Sequence, residues 1–136
     1  PGHIKPGTRQ ALASSIDLAP TILAATDVRP EKTLPGHDLL ALAAAPHATR
    51  ETIYGEIFAH DVADIDRPAA SLQFRWVRHG GWKLISRTGS TTPQLFNLAN
   101  DPHETRNLAG SQSDRASRMR QLLDNWWNPA RRKSRP

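Results

Sequence analysis

The stretch Ser71–Ser86, SLQFRWVRHGGWKLIS, decides the fold. Leu72, Phe74 and Trp76 alternate with Gln73 and Arg75, the period of a half-buried strand. Gly80-Gly81 permits the positive φ values of a tight turn, after which Trp82, Lys83, Leu84 and Ile85 return. The spacing therefore predicts an antiparallel hairpin. Upstream, TIYGEIFA (52–59) is rich in β-branched and aromatic residues and reads as a further strand. The polar connection DVADIDRPAAS holds Pro68, which cannot sit inside a sheet. Downstream, the turn-rich RTGSTTP leads into QLFNL (94–98), a fourth strand. Ser111 to Trp127 then carries Met119, Leu122, Leu123 and Trp126 at i, i+3, i+4, i+7 against Arg115, Arg118, Arg120 and Asp124. That is an amphipathic helix, stopped by Asn128-Pro129. The sum is an α+β fold: a small antiparallel sheet of about four strands with a C-terminal helix packed on one face.

The first 50 residues read differently. PGHIKPGTRQAL (1–12) is punctuated by Pro-Gly pairs and reads as loop or strand end. In SSIDLAPTILAATDV, Asp17 suits an N-cap, its carboxylate accepting first-turn N–H groups. Pro20 falls at the third helical position, where no intrahelical bond is lost. Leu18, Ile22 and Ala25, with Ala19 and Leu23 beside them, predict a short buried helix ending near Thr26-Asp27. Leu34-Pro35-Gly36 is a turn, and HDLLALAAA (37–45) is a helical or irregular apolar segment closed by Pro46. No internal repeat is visible.

A chain of 136 residues has the length of one ordinary domain. It contains no cysteine, so disulfide and thiolate chemistry have no residues here. No run approaches the roughly 18 apolar residues of a membrane span and no apolar leader is present, so the chain reads as soluble and as a piece of something longer. The net charge of +5 is local. Arg131, Arg132, Lys133 and Arg135 fall in the last six residues, leaving 14 basic against 13 acidic residues elsewhere. Residues 129–136 thus read as a basic, disordered tail. A free-standing polyanion-binding module using that tail is one alternative function, and the near-neutral body argues against a nucleic-acid partner.

Three clusters invite a chemical reading. QLFNLANDPHETRNLAG (94–110) gathers acids, asparagines and His103. Asp101 as N-cap, Pro102 at N1 and Glu104 at N3 predict a capping box, with Leu108 folding onto the apolar face of the strand. AHDVADID (59–66) holds His60, Asp61, Asp64 and Asp66, but the acids miss the positions a calcium loop needs. A solvated acidic loop is the plainer reading. His60 ends a strand, where an imidazole can donate to an anionic ligand. The six histidines are otherwise scattered singly, and there is neither a Gly-x-Ser-x-Gly elbow nor a His-x-x-x-His pair.

Several segments in order resemble the type I, formylglycine-dependent sulfatases of the alkaline phosphatase superfamily. PGHIKPGTR is similar to the P-G-x-I-x-P-G run that closes their catalytic core. SSIDLAPTILAATDV resembles their V-D-hydrophobic-x-P-T-hydrophobic-L helix, and LPGHDLLALA their P-x-G-x-S/D-L-L segment. RETIYGEIF resembles the R…hydrophobic-Y-x-E strand, RWVRHGGWKLI the R-x-V-R-x-G-x-x-K-L-I hairpin, and PQLFNLANDPHETRNLAG the E-L-Y-D-L-x-x-D-P-x-E-x-x-N-L-A signature. The likeness runs over roughly residues 1–128. It implies that 1–50 end a catalytic core and its connecting helical segment, and that 51–128 form the C-terminal subdomain of an α/β sulfatase with an alkaline phosphatase-like fold.

The resemblance implies sulfate-ester hydrolysis, in which formylglycine made from Cys or Ser in C/S-x-P-x-R attacks sulfur beside a calcium ion. Neither that motif nor the family's metal ligands map onto this sequence. It therefore implies a C-terminal fragment, inactive alone, whose partner is the missing N-terminal core. A phosphodiester or phosphonate hydrolase of the same superfamily is the nearest alternative. By position, the end of YGEIFAHD would lie at the rim of the substrate pocket, with His60 and Asp61 as candidate substrate-binding residues. Arg75, Arg78 and Lys83 could face an anion, although salt bridges on a solvated strand face suit them better. Family members are commonly periplasmic, secreted or lysosomal.

Overall fold

The computed structural model describes residues 7–45, 49–61 and 64–129. The first six residues of the loop expected at 1–12, the Pro46 stop and residues 130–136 of the tail expected at 129–136 lie outside the described residues. The chain divides between Ile53 and Tyr54 into two compact units.

In the first unit a 3-10 turn, Ser15–Asp17, leads into α1, Leu18–Ala25, with Thr26 as C-cap. The second helix, α2, spans Leu39–Ala44, and Asp38 caps it by accepting from Leu40 N at 2.8 Å. Arg9 donates to the Ala43 carbonyl at 2.8 and 3.0 Å, a cation placed on the carbonyl end of that helix. Thr21 joins the helices, donating to the Asp17 carbonyl at 2.6 Å and accepting from Leu39 N at 2.9 Å.

Two expectations fail in this unit. Asp17 does not cap α1 with its side chain. The carboxylate turns back to Ser14 N at 2.7 Å, across to His37 N at 2.9 Å and onto Arg50 at 2.5 Å. A charged guanidinium and two aligned N–H groups outcompete a first-turn donor. Nor is the α1 stripe buried: Leu18 is 56% and Ile22 61% exposed. The spacing marks an apolar face but carries no information on what covers it. Gly36, at φ +101°, is required where it stands, because a Cβ there would lie 2.4 Å from the Ile16 carbonyl oxygen.

The sheet consists of β1 (Thr52–Phe58), β2 (Leu72–His79), β3 (Trp82–Arg87) and β4 (Gln94–Asn97), in the order β1-β2-β3-β4, and from Tyr54 onward it belongs to the second unit. The β2–β3 and β3–β4 pairs are antiparallel, with Val77 opposite Leu84 and Leu84 opposite Leu95. The hairpin turns at Gly80, whose φ is +55°. The final helix, α3, spans Ser113–Trp126 and lies on one face of the sheet. Val77, Leu84 and Leu95 pack there against Ala116, Met119 and Leu123. The fold is therefore the α+β arrangement the alternation and periodicity called for.

The face of β2 differs from expectation. The alternation favoured Leu72, Phe74 and Trp76, and only Leu72 of these is buried. The strand turns Arg75 and Val77 under α3, and leaves Phe74 and Trp76 half-buried on the opposite side. Burial of Arg75 is tolerated because its guanidinium pairs with Asp124 at 2.8 Å and donates to the Trp127 carbonyl. On the other face Trp76 lies over Gly55, where a Cβ would stand 2.5 Å from the indole. Trp126, at the end of α3, stacks on Tyr54 with centroids 4.9 Å apart and planes 7° from parallel.

Candidate functional site

The polar residues that sequence reading singled out are mostly committed to holding the backbone. After β4 the chain does not enter a helix, so the expected capping box is absent. Glu104 sits at φ +56°, outside helical space, and its carboxylate reaches Lys83 Nζ at 2.7 and 3.0 Å instead. Asp101 closes the turn alone, accepting from Thr105 N and Oγ1 at 3.0 Å and from Arg106 N at 2.9 Å. Those N–H groups, with the nearby His103, hold its carboxyl below the ordinary range. Asn107 Oδ1 accepts from Leu95 N and Ala109 N, both at 3.0 Å, while Leu108 N donates to the Leu95 carbonyl at 2.8 Å. Leu108 thereby packs against the core, as its spacing suggested. The cluster turns a corner and pins β4, and His103 within it is exposed.

The hairpin cations are likewise engaged. Arg75 is buried against α3, Lys83 pairs with Glu104, and Arg78 Nε donates to the Gly80 carbonyl at 3.3 Å. In the acidic loop Asp64 pairs with Arg67 at 2.6 Å and also accepts from Asp66 N and Arg67 N. The Arg67 contact is the principal cause of a lowered Asp64 carboxyl pKa. His60 and Asp61 follow the end of β1, side by side with Nδ1 3.4 Å from Oδ1, and both side chains are fully exposed. A pair in open solvent gains little from its contact.

The buried network at Asp17 was not foreseen. Its side chain is wholly inaccessible, and Arg50 beside it is 13% exposed. Burial opposes ionisation, but the bonds from Arg50, Ser14 N and His37 N outweigh it and hold the carboxyl below its ordinary value. No local pattern could reveal this, because the two charges stand 33 residues apart. Burial alone raises the Tyr54 hydroxyl pKa.

Neither calcium nor formylglycine fits the donors at hand. Among the described residues no three His, Asp or Glu side chains converge as a metal would require. The sequence holds no Cys and no Ser-x-Pro-x-Arg. Among the described residues, too, no helix is long and apolar enough to cross a membrane.

Two open cavities adjoin at the β3–β4 loop. One, of about 470 Å³, is lined by Phe74, Ile85, Arg87, Ser90 and Gln94; the other, of about 500 Å³, by Gly110, Ser113, Ser117 and Arg120. Thr92, Pro93 and Asn107 line both.

With this scaffold described, comparison with known proteins is decisive. Residues 1–128 match the family model described as N-sulphoglucosamine sulphohydrolase, C-terminal. The chain belongs to this sulfatase C-terminal family. It is 26% identical over 127 residues to arylsulfatase K of Xenopus laevis, covering 89% of this chain and 23% of that protein. Its fold is similar to that of the phosphonate monoester hydrolase of Agrobacterium radiobacter, with TM-score 0.63 and 22% identity over 85% of this chain and 24% of that one. It is also similar to a solved protein from Bacteroides thetaiotaomicron, described in connection with the metabolism of multiple glycosaminoglycans. There the TM-score is 0.64 and identity 23%, over 96% of this chain and 28% of the other. This sulfatase C-terminal chain thus spans about a quarter of the length of these relatives.

Proposed function

We propose that the chain is the C-terminal part of an enzyme that hydrolyses sulfate esters, and that its nucleophile and metal ligands are supplied by an N-terminal catalytic portion. The observation that carries this reading is the match of residues 1–128 to a family defined by the C-terminal part of a sulphohydrolase. The geometry agrees with it: the charged clusters at Asp17, Asp101 and Asp124 are spent on internal bonds, as in a scaffold. In this reading calcium and formylglycine belong to the catalytic portion, and the 136 residues alone have no hydrolytic activity. His60 and Asp61, exposed after β1, would stand at the rim of the substrate pocket.

A second reading has one observation in its favour. The likeness to a phosphonate monoester hydrolase points to a different ester on the same fold. The test is to express the chain together with its upstream reading frame and compare 4-nitrophenyl sulfate with a phenylphosphonate monoester. A kcat/KM at least about tenfold higher for the sulfate supports the first reading; the reverse order replaces it with the second.

A further inference from the structure

The paired cavities around the β3–β4 loop have a charge pattern the scaffold does not explain. Their lining contains two guanidinium groups, Arg87 in one cavity and Arg120 in the other, and no carboxylate. Ser90, Thr92, Ser117 and the Asn107 amide supply neutral donors and acceptors between them. Among the described residues Arg87 has no acidic partner, and its guanidinium carbon lies 5.9 Å from the Phe74 ring centre. Arg120 Nε makes no hydrogen bond but stands in an ion pair with Asp124 Oδ2 at 3.4 Å, and the other oxygen of that carboxylate is bonded to Arg75, so two guanidinium groups share one acid. Asn107 uses only its carbonyl oxygen on the backbone, so its NH2 group remains to donate.

Cations in excess of acids, Arg87 with none and Arg120 sharing Asp124 with Arg75, favour an anion, and interspersed hydroxyls and an amide suit a polyhydroxylated ligand. Phe74 lies under Arg87 and holds that guanidinium at the cavity wall. Each cavity falls within the volume range of ordinary ligand sites, and the two share Thr92, Pro93 and Asn107. We infer that the β3–β4 groove is an ancillary binding site for an anionic oligosaccharide, with Arg87 and Arg120 each receiving one negatively charged substituent. That the substituent is a sulfate rests on the sulfate-ester reading above; the groove itself requires only an anion on a sugar chain.

The test is calorimetric titration of the full chain with a heparin-derived tetrasaccharide, its desulfated counterpart and inorganic sulfate. The sulfated tetrasaccharide binds, R87Q and R120Q each weaken it about tenfold, and the desulfated sugar binds at least about tenfold more weakly. Because Arg120 lies beside the Arg75–Asp124 pair, Ser117→Glu serves as an independent variant. It places a carboxylate in the groove from an exposed helix position and abolishes binding while the unfolding midpoint stays unchanged. The inference is overturned by no binding, by equal binding of the desulfated sugar, or by tighter binding of a single-stranded oligonucleotide. It is equally overturned if deleting residues 131–136, and not the groove substitutions, removes affinity. Binding that follows this pattern in an enzyme that prefers phosphonates would keep the groove and discard the sulfate reading. Sulfate hydrolysis without groove dependence would do the opposite.

Discussion

Substituting Asp17 by Asn tests whether the first unit is organised around a buried charge. The side chain is inaccessible to solvent and accepts from Ser14 N, His37 N and Arg50. Asn preserves the volume, but it replaces one acceptor oxygen by a donor NH2 group. At least one of the three partners is then left facing a donor, and the Arg50 charge loses its counter-ion. Breaking a buried pair from one side costs about 3–5 kcal/mol. Arg50 retains 13% exposure and some water, so a loss near the lower limit, about 3 kcal/mol, is expected. Arg50→Met alone also destabilises, and the double variant D17N/R50M costs less than the sum of the two.

All four tryptophans lie at positions 76, 82, 126 and 127, so indole fluorescence follows the sheet unit. Amide hydrogen exchange over residues 15–44, read against urea, follows the Asp17 network. The carboxyl pKa is lowered in the fold, so its contribution is complete above the ordinary value of 3.8 and is lost as pH falls through the lower folded value. Wild-type protection should therefore decline in that acid window, and D17N should lack that component. A change below about 1 kcal/mol, or strictly additive single variants, would refute the reasoning.

Two further outcomes follow from the packing. Leu84→Ala empties a position with no exposure at the centre of the β2–β3–β4 face, and should cost about 2–5 kcal/mol in urea unfolding followed by tryptophan fluorescence. Gly36→Ala combines a positive φ with a Cβ 2.4 Å from a carbonyl oxygen, whereas Gly80→Ala has a positive φ in open space. Thermal unfolding should show the first to be clearly worse than the second, which carries only a backbone cost of about 1 kcal/mol.

The hairpin, β4 and α3 were legible because each is written in a local period: two for Leu72–Trp76, and 3.6 for Met119–Trp126. What escaped was every feature set by a distant partner. Arg75 reads as the polar member of an alternating strand, and only Asp124, 49 residues on, makes it a core residue. Asp101-Pro102-His103-Glu104 has the letters of a capping box, yet Lys83 draws Glu104 out of the helical register. Asp17 has the place of an N-cap, while Arg50 claims its carboxylate. The apolar stripe of α1 was legible as a face, though not as an exposed one. His60 and Asp61 were legible as a strand end, and the structure adds only their exposure. The Arg87–Arg120 groove had no sequence signal, since its residues come from three strands, two loops and a helix.

The central claim is that these residues form a scaffold whose chemistry is supplied from elsewhere in the polypeptide. The most direct measurement is release of 4-nitrophenol from 4-nitrophenyl sulfate by the 136-residue chain alone and by the same chain joined to its upstream portion. Turnover only in the joined polypeptide is the predicted result. Turnover by the isolated chain at a comparable rate would contradict it.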